Sequence, residues 1–291
     1  MSCAAIPSPL ASPFRVEHPD FPERNYHRTI YDAHAHIFPE KIAEKACINI
    51  GRFYSVPMYA VGSSEILQAS CKAAGIAGVL VCSVATKPEQ VTAINDFIHR
   101  EFSNHSQFIG LAAMHPHFQD YSSELERVVE LGFRGVKFHP DFQEFNMDDP
   151  AYFPMFREIA RHNLPVLFHM GDAHLDYSHP RRLANLMRAV PDLTCIAAHF
   201  GGYQKWDEAL ELLNPNTGRL YFDTSSSLAF LSGEKAVEMI RALGAGHFLF
   251  GSDFPMWDQA EEIDRFLALH LTDEEREMIF HRNFEGLFGL S

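Results

Sequence analysis

The stretch Thr29-Ile30-Tyr31-Asp32-Ala33-His34-Ala35-His36-Ile37-Phe38 decides how this chain is read. Its flanks are β-branched and aromatic, as a strand requires, and it places two imidazoles two residues apart. Side chains at i and i+2 point to the same side of a strand. His34 and His36 are therefore expected to face one way, where both can bind one metal ion.

Working outward, the same kind of apolar run recurs. Strands are expected at 29–38, 78–84, 108–115, 133–139, 165–170, 194–200, 220–224 and 248–253. Between them lie stretches of helical periodicity at 63–74, 88–102, 122–131, 150–162, 180–190, 203–213, 233–243 and 259–269, with a last helix at 272–280. Pro88, Pro150 and Pro180 sit where a helix start tolerates proline. Thr272 and Glu275 have the spacing of a capping box. Near-continuous apolar strands alternating with helices, with no Gly-rich phosphate loop after an early strand, favour a closed (β/α)8 barrel over an open doubly wound sheet. Residues 1–28, with Pro7, Pro9, Pro13, Pro19 and Pro22, read as an irregular arm, and 29–291 as a single barrel domain. The span 39–62 reads as a long loop after the first strand.

The charge balance bears on partners. With 38 acidic against 24 basic side chains and a formal net charge of −14, the chain lacks the basic surface that nucleic acid or an anionic membrane would need. No apolar run approaches a membrane span, and the N-terminus has no basic segment leading into an apolar one. The five cysteines form no C-x-x-C pair and read as free thiols of a reducing compartment. A cytoplasmic enzyme acting on a small molecule is the expectation, and the arm at 1–28 is compatible with a homodimer.

The chemistry lies in where the strands stop. They end in Asp32-Ala33-His34-Ala35-His36, His115-Pro116-His117, Lys137-Phe138-His139-Pro140, Phe168-His169-Met170-Gly171, Ala198-His199-Phe200-Gly201-Gly202 and Gly251-Ser252-Asp253-Phe254-Pro255. In a barrel these ends converge on one face, where active sites form. Imidazoles from two strands and a carboxylate across the mouth give a mixed nitrogen and oxygen site suited to zinc, with iron, manganese or cobalt as alternatives.

In this order the motifs resemble the amidohydrolase superfamily, and most closely its amidohydrolase-2 branch, which includes aminocarboxymuconate semialdehyde decarboxylase and related decarboxylases and hydrolases. The resemblance spans about 29–291 and includes the tail Asn283-Phe284-Glu285-Gly286-Leu287-Phe288. It implies His34, His36, His169 and Asp253 as ligands of one divalent metal, most simply zinc. It implies His199 as the catalytic proton-moving group, with Asp253 also able to take a proton from a metal-activated water. In the two-metal branches a lysine ending the fourth strand is carboxylated and bridges the ions. Lys137 stands at that position, so Lys137 and His139 are candidates for a second metal or for substrate. Asp32 is expected to point away from the metal. Arg52, Tyr54, His174 and Trp257 are candidates for substrate binding.

Two reactions fit such a site: hydrolysis of a lactone, ester or amide, and non-oxidative decarboxylation of a small carboxylic acid. The motifs alone favour hydrolysis, because no arginine clamp for a substrate carboxylate is recognisable. A barrel kept only for binding is the reading from another class, since fold does not prove chemistry. Its signature would be a lost ligand, and no ligand position is lost.

Overall fold

Each apolar run becomes a parallel strand and each periodic run a helix outside it. The computed structural model describes residues 21–215 and 219–290. Strands β1 (Tyr31–His36), β2 (Gly78–Cys82), β3 (Phe108–Ala113), β4 (Gly135–Phe138), β5 (Val166–Phe168), β6 (Cys195–Ala197), β7 (Leu220–Asp223) and β8 (Phe248–Leu249) pair in chain order. The seam between the last and the first strand is closed by backbone bonds. Ala33 N–H donates to Phe250 O at 2.8 Å, Asp253 N–H to His34 O at 2.8 Å, and His36 N–H to Phe254 O at 2.6 Å. The result is the (β/α)8 barrel that the strand count calls for, with no free sheet edge.

Alternating strand residues feed two cores. Ala33, Leu80, Leu111, Leu167, Ile196 and Leu249 fill the barrel, with Phe284 and Phe288 packed on them. Val79, Val81, Val136, Phe138 and Phe168 turn outward to the helices. Strand β1 breaks this rule once. Its register against β2 shifts between Asp32 and Ala35. The irregularity sends Asp32 toward the helix layer while His34 and His36 keep to the mouth.

The expected helices form with small changes at their ends. Ser63 caps α2 (Ser64–Ala74) by accepting from Ile66 N–H, and Thr272 forms its capping box with Glu275 on the helix Asp273–Glu277. The last helix does not stop at Phe280; it continues through a π turn into a final helical stretch, Asn283–Phe288. The clear departure is at 39–62. Residues Glu40–Tyr54 form a 15-residue helix, α1, beginning after Pro39. Ala43, Cys47 and Gly51, each four apart, are its buried side. The arm expected at 1–28 is described only from residue 21, and 21–28 hold no helix or strand. The remainder of that arm lies outside the described residues.

Cys47, Cys71, Cys82 and Cys195 are free and buried; Cys3 lies outside the described residues. Among the described residues no helix is long and apolar enough to cross a membrane.

Candidate metal centre

At the mouth of the barrel five imidazoles stand in an arc. The ring centroids of His36 and His34 are 5.0 Å apart, those of His34 and His199 5.3 Å, of His199 and His169 4.8 Å, and of His169 and His139 3.9 Å. Asp253 closes the arc at the His36 end, with Oδ1 3.3 Å from His36 Nε2 and 3.6 Å from His34 Nε2.

Hydrogen bonds fix which nitrogen of each ring carries its proton. His34 Nδ1 faces the Asp223 carboxylate at 2.9 Å, so it donates and Nε2 bears the lone pair. His199 Nδ1 lies 3.2 Å from the Ser225 carbonyl and so donates there, leaving a lone pair on Nε2. His169 Nε2 donates to Gly171 O at 3.0 Å, with the Asp141 carboxylate 3.7 Å behind, leaving a lone pair on Nδ1. The consequence is direct: His199 Nε2 and His169 Nδ1 meet lone pair to lone pair at 3.0 Å. His34 Nε2 meets His36 Nε2 at 3.1 Å. The His199–His169 pair has no proton between its nitrogens, Lys137 Nζ lies 3.1 Å from His34 Nε2 and His36 faces the Asp253 carboxylate; a divalent cation among these donors would satisfy them together. Donors about 2.0–2.1 Å from a tetrahedral zinc lie roughly 3.3 Å from one another. The separations within His34, His36 and Asp253 fit that figure.

Charge follows the same pattern. Burial, reinforced by Lys137, lowers His34 well below its ordinary value. Burial lowers His169 and His199 as well. All three are therefore neutral, as metal ligation demands. For His36, burial pulls downward, but Cys82 and Asp253 outweigh it and lift the ring to about 9. Burial pushes the Asp253 carboxyl up, yet the neighbouring imidazoles win and hold it far below the usual carboxylate range.

The supports behind these groups are buried too. Asp223 accepts from His34 Nδ1, His199 N–H at 2.9 Å, Ser225 N–H at 3.1 Å and Ser225 Oγ at 2.5 Å. A carboxylate so fully engaged orients ligands and does not ligate itself. Asp253 Oδ2 accepts from Ser226 Oγ at 2.6 Å, and Trp257 Nε1 donates to that same hydroxyl at 2.8 Å. Asp253 and His199 both have left-handed backbones, at φ 62° and 60°, a strain typical of sites where geometry is imposed. Gly171 also has positive φ, and a Cβ there would lie 2.4 Å from the Tyr203 backbone. Only glycine permits the turn that carries His169.

The two residues of strand β4 differ. Lys137 is buried beneath the arc, with Nζ 3.1 Å from His34 Nε2. Burial lowers its pKa, and among the described residues no carboxylate forms an ion pair with it. His139 accepts from Phe142 N–H on Nδ1, so Nε2 carries the proton and donates to the Tyr54 hydroxyl at 2.9 Å. The Tyr54 hydroxyl also lies 3.3 Å from His169 Nε2, at the wall of the cavity. His139, Asp141 and His169 cluster closely, but the rings of His139 and His169 stack at 6° with protons on Nε2. Parallel rings cannot converge on one ion, so this cluster is a hydrogen-bonded support.

Asp32 turns away from the arc as expected, and accepts from Ser252 Oγ at 2.6 Å and Gln259 Nε2 at 2.8 Å. Of the four candidates for substrate, Tyr54 lines the cavity. Trp257 acts through Ser226 and is not part of the cavity wall. Arg52 and His174 are exposed and lie outside the lining. Arg52 departs from expectation because α1 turns it away from the face that carries Phe53 and Tyr54. Asp223, Ser225, Ser226 and Asp141 were not expected. Strand β7 ends in Asp223-Thr224-Ser225-Ser226, so the strand-end rule that found the histidines already contained the signal for three of them.

A model of the amidohydrolase family matches residues 31–290. Over 107 residues the chain is 30% identical to the 2-amino-3-carboxymuconate-6-semialdehyde decarboxylase of Dictyostelium discoideum, a match covering 36% of this chain and 30% of that protein. The chain thus aligns with less than a third of that relative's length. Among solved structures, the 2,6-dihydroxybenzoate decarboxylase from Rhizobium superposes with a TM-score of 0.69 at 18% identity, covering 90% of this chain and 99% of that one. The 5-carboxyvanillate decarboxylase of Novosphingobium aromaticivorans, complexed with manganese and a nitrobenzoic acid, gives 0.71 at 15% identity, covering 94% and 100%. At such identities the superpositions speak for the fold.

Proposed function

The chain belongs to the amidohydrolase family, and from that premise we propose that it is a metal-dependent, non-oxidative decarboxylase of a small carboxylic acid. The observation that carries the choice of reaction is the aligned stretch shared with a semialdehyde decarboxylase. It reverses the preference for hydrolysis that the motifs alone suggest.

In this reading His34, His36, His169 and Asp253 hold one divalent ion. The nitrogen-rich donor set favours zinc. Manganese is the alternative, on the precedent of the carboxyvanillate enzyme. When bound, the ion supplies Lewis-acid stabilisation of charge on substrate oxygen. The protein's own groups do the rest. Asp223 fixes the His34 tautomer, and Ser226 fixes Asp253. The Tyr54 O–H, at the cavity wall, donates to a substrate oxygen. His199, anchored through Nδ1 at Ser225, takes up a proton on Nε2 from the substrate's acid group or from water and then delivers it. The bond between the carboxyl carbon and its neighbour breaks, CO₂ leaves, and the electron pair left on carbon takes that proton. Lys137 stays below the arc as a neighbour of His34 and not as a bridging ligand.

The test is product analysis with the metal-reconstituted protein over aromatic acids, enol acids, lactones and amides. CO₂ release without ring opening or amide cleavage is expected. Hydrolysis products without CO₂ would overturn the assignment.

A further inference from the structure

The cavity above the histidine arc has a volume of about 840 Å³. A single-ring acid bound at the arc fills only a fraction of it. The remainder runs along α1. Ile42, Ala46, Ile50 and Phe53 line it from that helix, spaced by four, four and three residues, which is one helical face. At about 1.5 Å rise per residue the stripe is roughly 16 Å long. Ile94 and Phe97, from α3 (Val91–Asn104), face it. Away from the arc the charged lining residues are Lys45 and Glu89, both exposed. Ile42 and Phe53 line the cavity, yet they are 51% and 46% exposed. Apolar side chains left wet inside a concave site gain when an apolar ligand covers them.

We propose that this channel receives an extended apolar arm of the substrate, so that the substrate class is a carboxylic acid bearing a hydrocarbon chain or a second ring. The reacting carboxylate sits at the arc and the arm lies along α1. The inference rests on the arc being the reaction site. It separates this chain from enzymes whose substrate is a bare single-ring acid. With carbon–carbon bonds near 1.5 Å, the stripe accommodates roughly ten to twelve chain atoms.

Calorimetric titration of the full chain with n-alkyl carboxylates from acetate to dodecanoate, and with benzoate against 4-phenylbenzoate, tests this. Burial of each methylene is expected to raise affinity roughly threefold to fourfold until the arm reaches solvent near ten to twelve carbons. A gain from benzoate to 4-phenylbenzoate alone would assign the arm as aryl; a graded alkyl series would assign it as a chain. The variants Ile42→Ser and Phe53→Ser alter half-exposed side chains and leave the core intact. Each is expected to lower the ratio of dodecanoate to acetate affinity several-fold. Affinity that does not change with arm length overturns the proposal. So does a dimer in light scattering that Phe53→Asp separates while no arm binds, because the stripe then serves a second copy. A graded series in a protein that releases no CO₂ from any acid counts against the decarboxylase reading and supports the arm. CO₂ release from single-ring acids with no arm dependence does the reverse.

Discussion

The histidine arc and the wall of α1 face each other across one cavity and are built in opposite ways. In the arc, side chains sit on strand ends, are buried, and have their outward nitrogens tied to Asp223, Ser225, Gly171 or Cys82. On α1, Ile42 and Phe53 are half exposed. The first region fixes atoms for a reaction, which tolerates little displacement. The second offers shape and apolar area, which a substrate completes. Chemistry and selectivity are thus carried by different elements, and mutations should separate them.

The largest break should come from the arc. His199→Asn is expected to lower kcat by about 10²–10⁴-fold while the metal stays bound, because a proton carrier is lost and no ligand is. Loss of the metal in that variant would instead make His199 a ligand. Asp223→Asn removes the carboxylate that fixes His34, and should weaken metal affinity by about 10–100-fold; a competition titration against a chelator measures it.

Proton linkage gives a milder effect. Without metal, His36 binds a proton up to about pH 9, whereas a ligated imidazole must be neutral. Metal binding therefore releases one proton below that pH. Affinity should rise about tenfold per pH unit between pH 6 and 8. A flat profile would mean that His36 is already neutral. The smallest effect belongs to the wall. Phe53→Ala should lower stability by less than about 1 kcal/mol in denaturant melts, since the ring is half exposed and rests edge-on against Tyr54 and Phe142. A larger loss would mean that α1 is part of the rigid frame and that the contrast fails.

The same division explains what could be read from the chain. Strands are near-continuous apolar runs, so their ends are visible, and His34, His36, His169, His199 and Asp253 stand out as polar groups where burial begins. Asp223 has the same signature, but its partners are serines and backbone, which carry no motif. The site of α1 was legible only as a loop. Its two faces, Ala43, Cys47 and Gly51 on the buried side and Ile42, Ala46 and Ile50 toward the cavity, blur into an unpatterned run. Gly51 also weakens the helical signal. Once that helix forms, Arg52 is turned outward and Tyr54 inward, a distinction a loop could not predict. The outward turn of Asp32 depends on a register shift that strand alternation does not reveal.

The central proposal is one ion held by His34, His36, His169 and Asp253. Elemental analysis of the purified chain after reconstitution with excess zinc or manganese and removal of loosely bound metal tests it most directly. One equivalent per chain is predicted, falling to none in His34→Gln. Two tightly held equivalents, or one that survives the loss of His34, would contradict it.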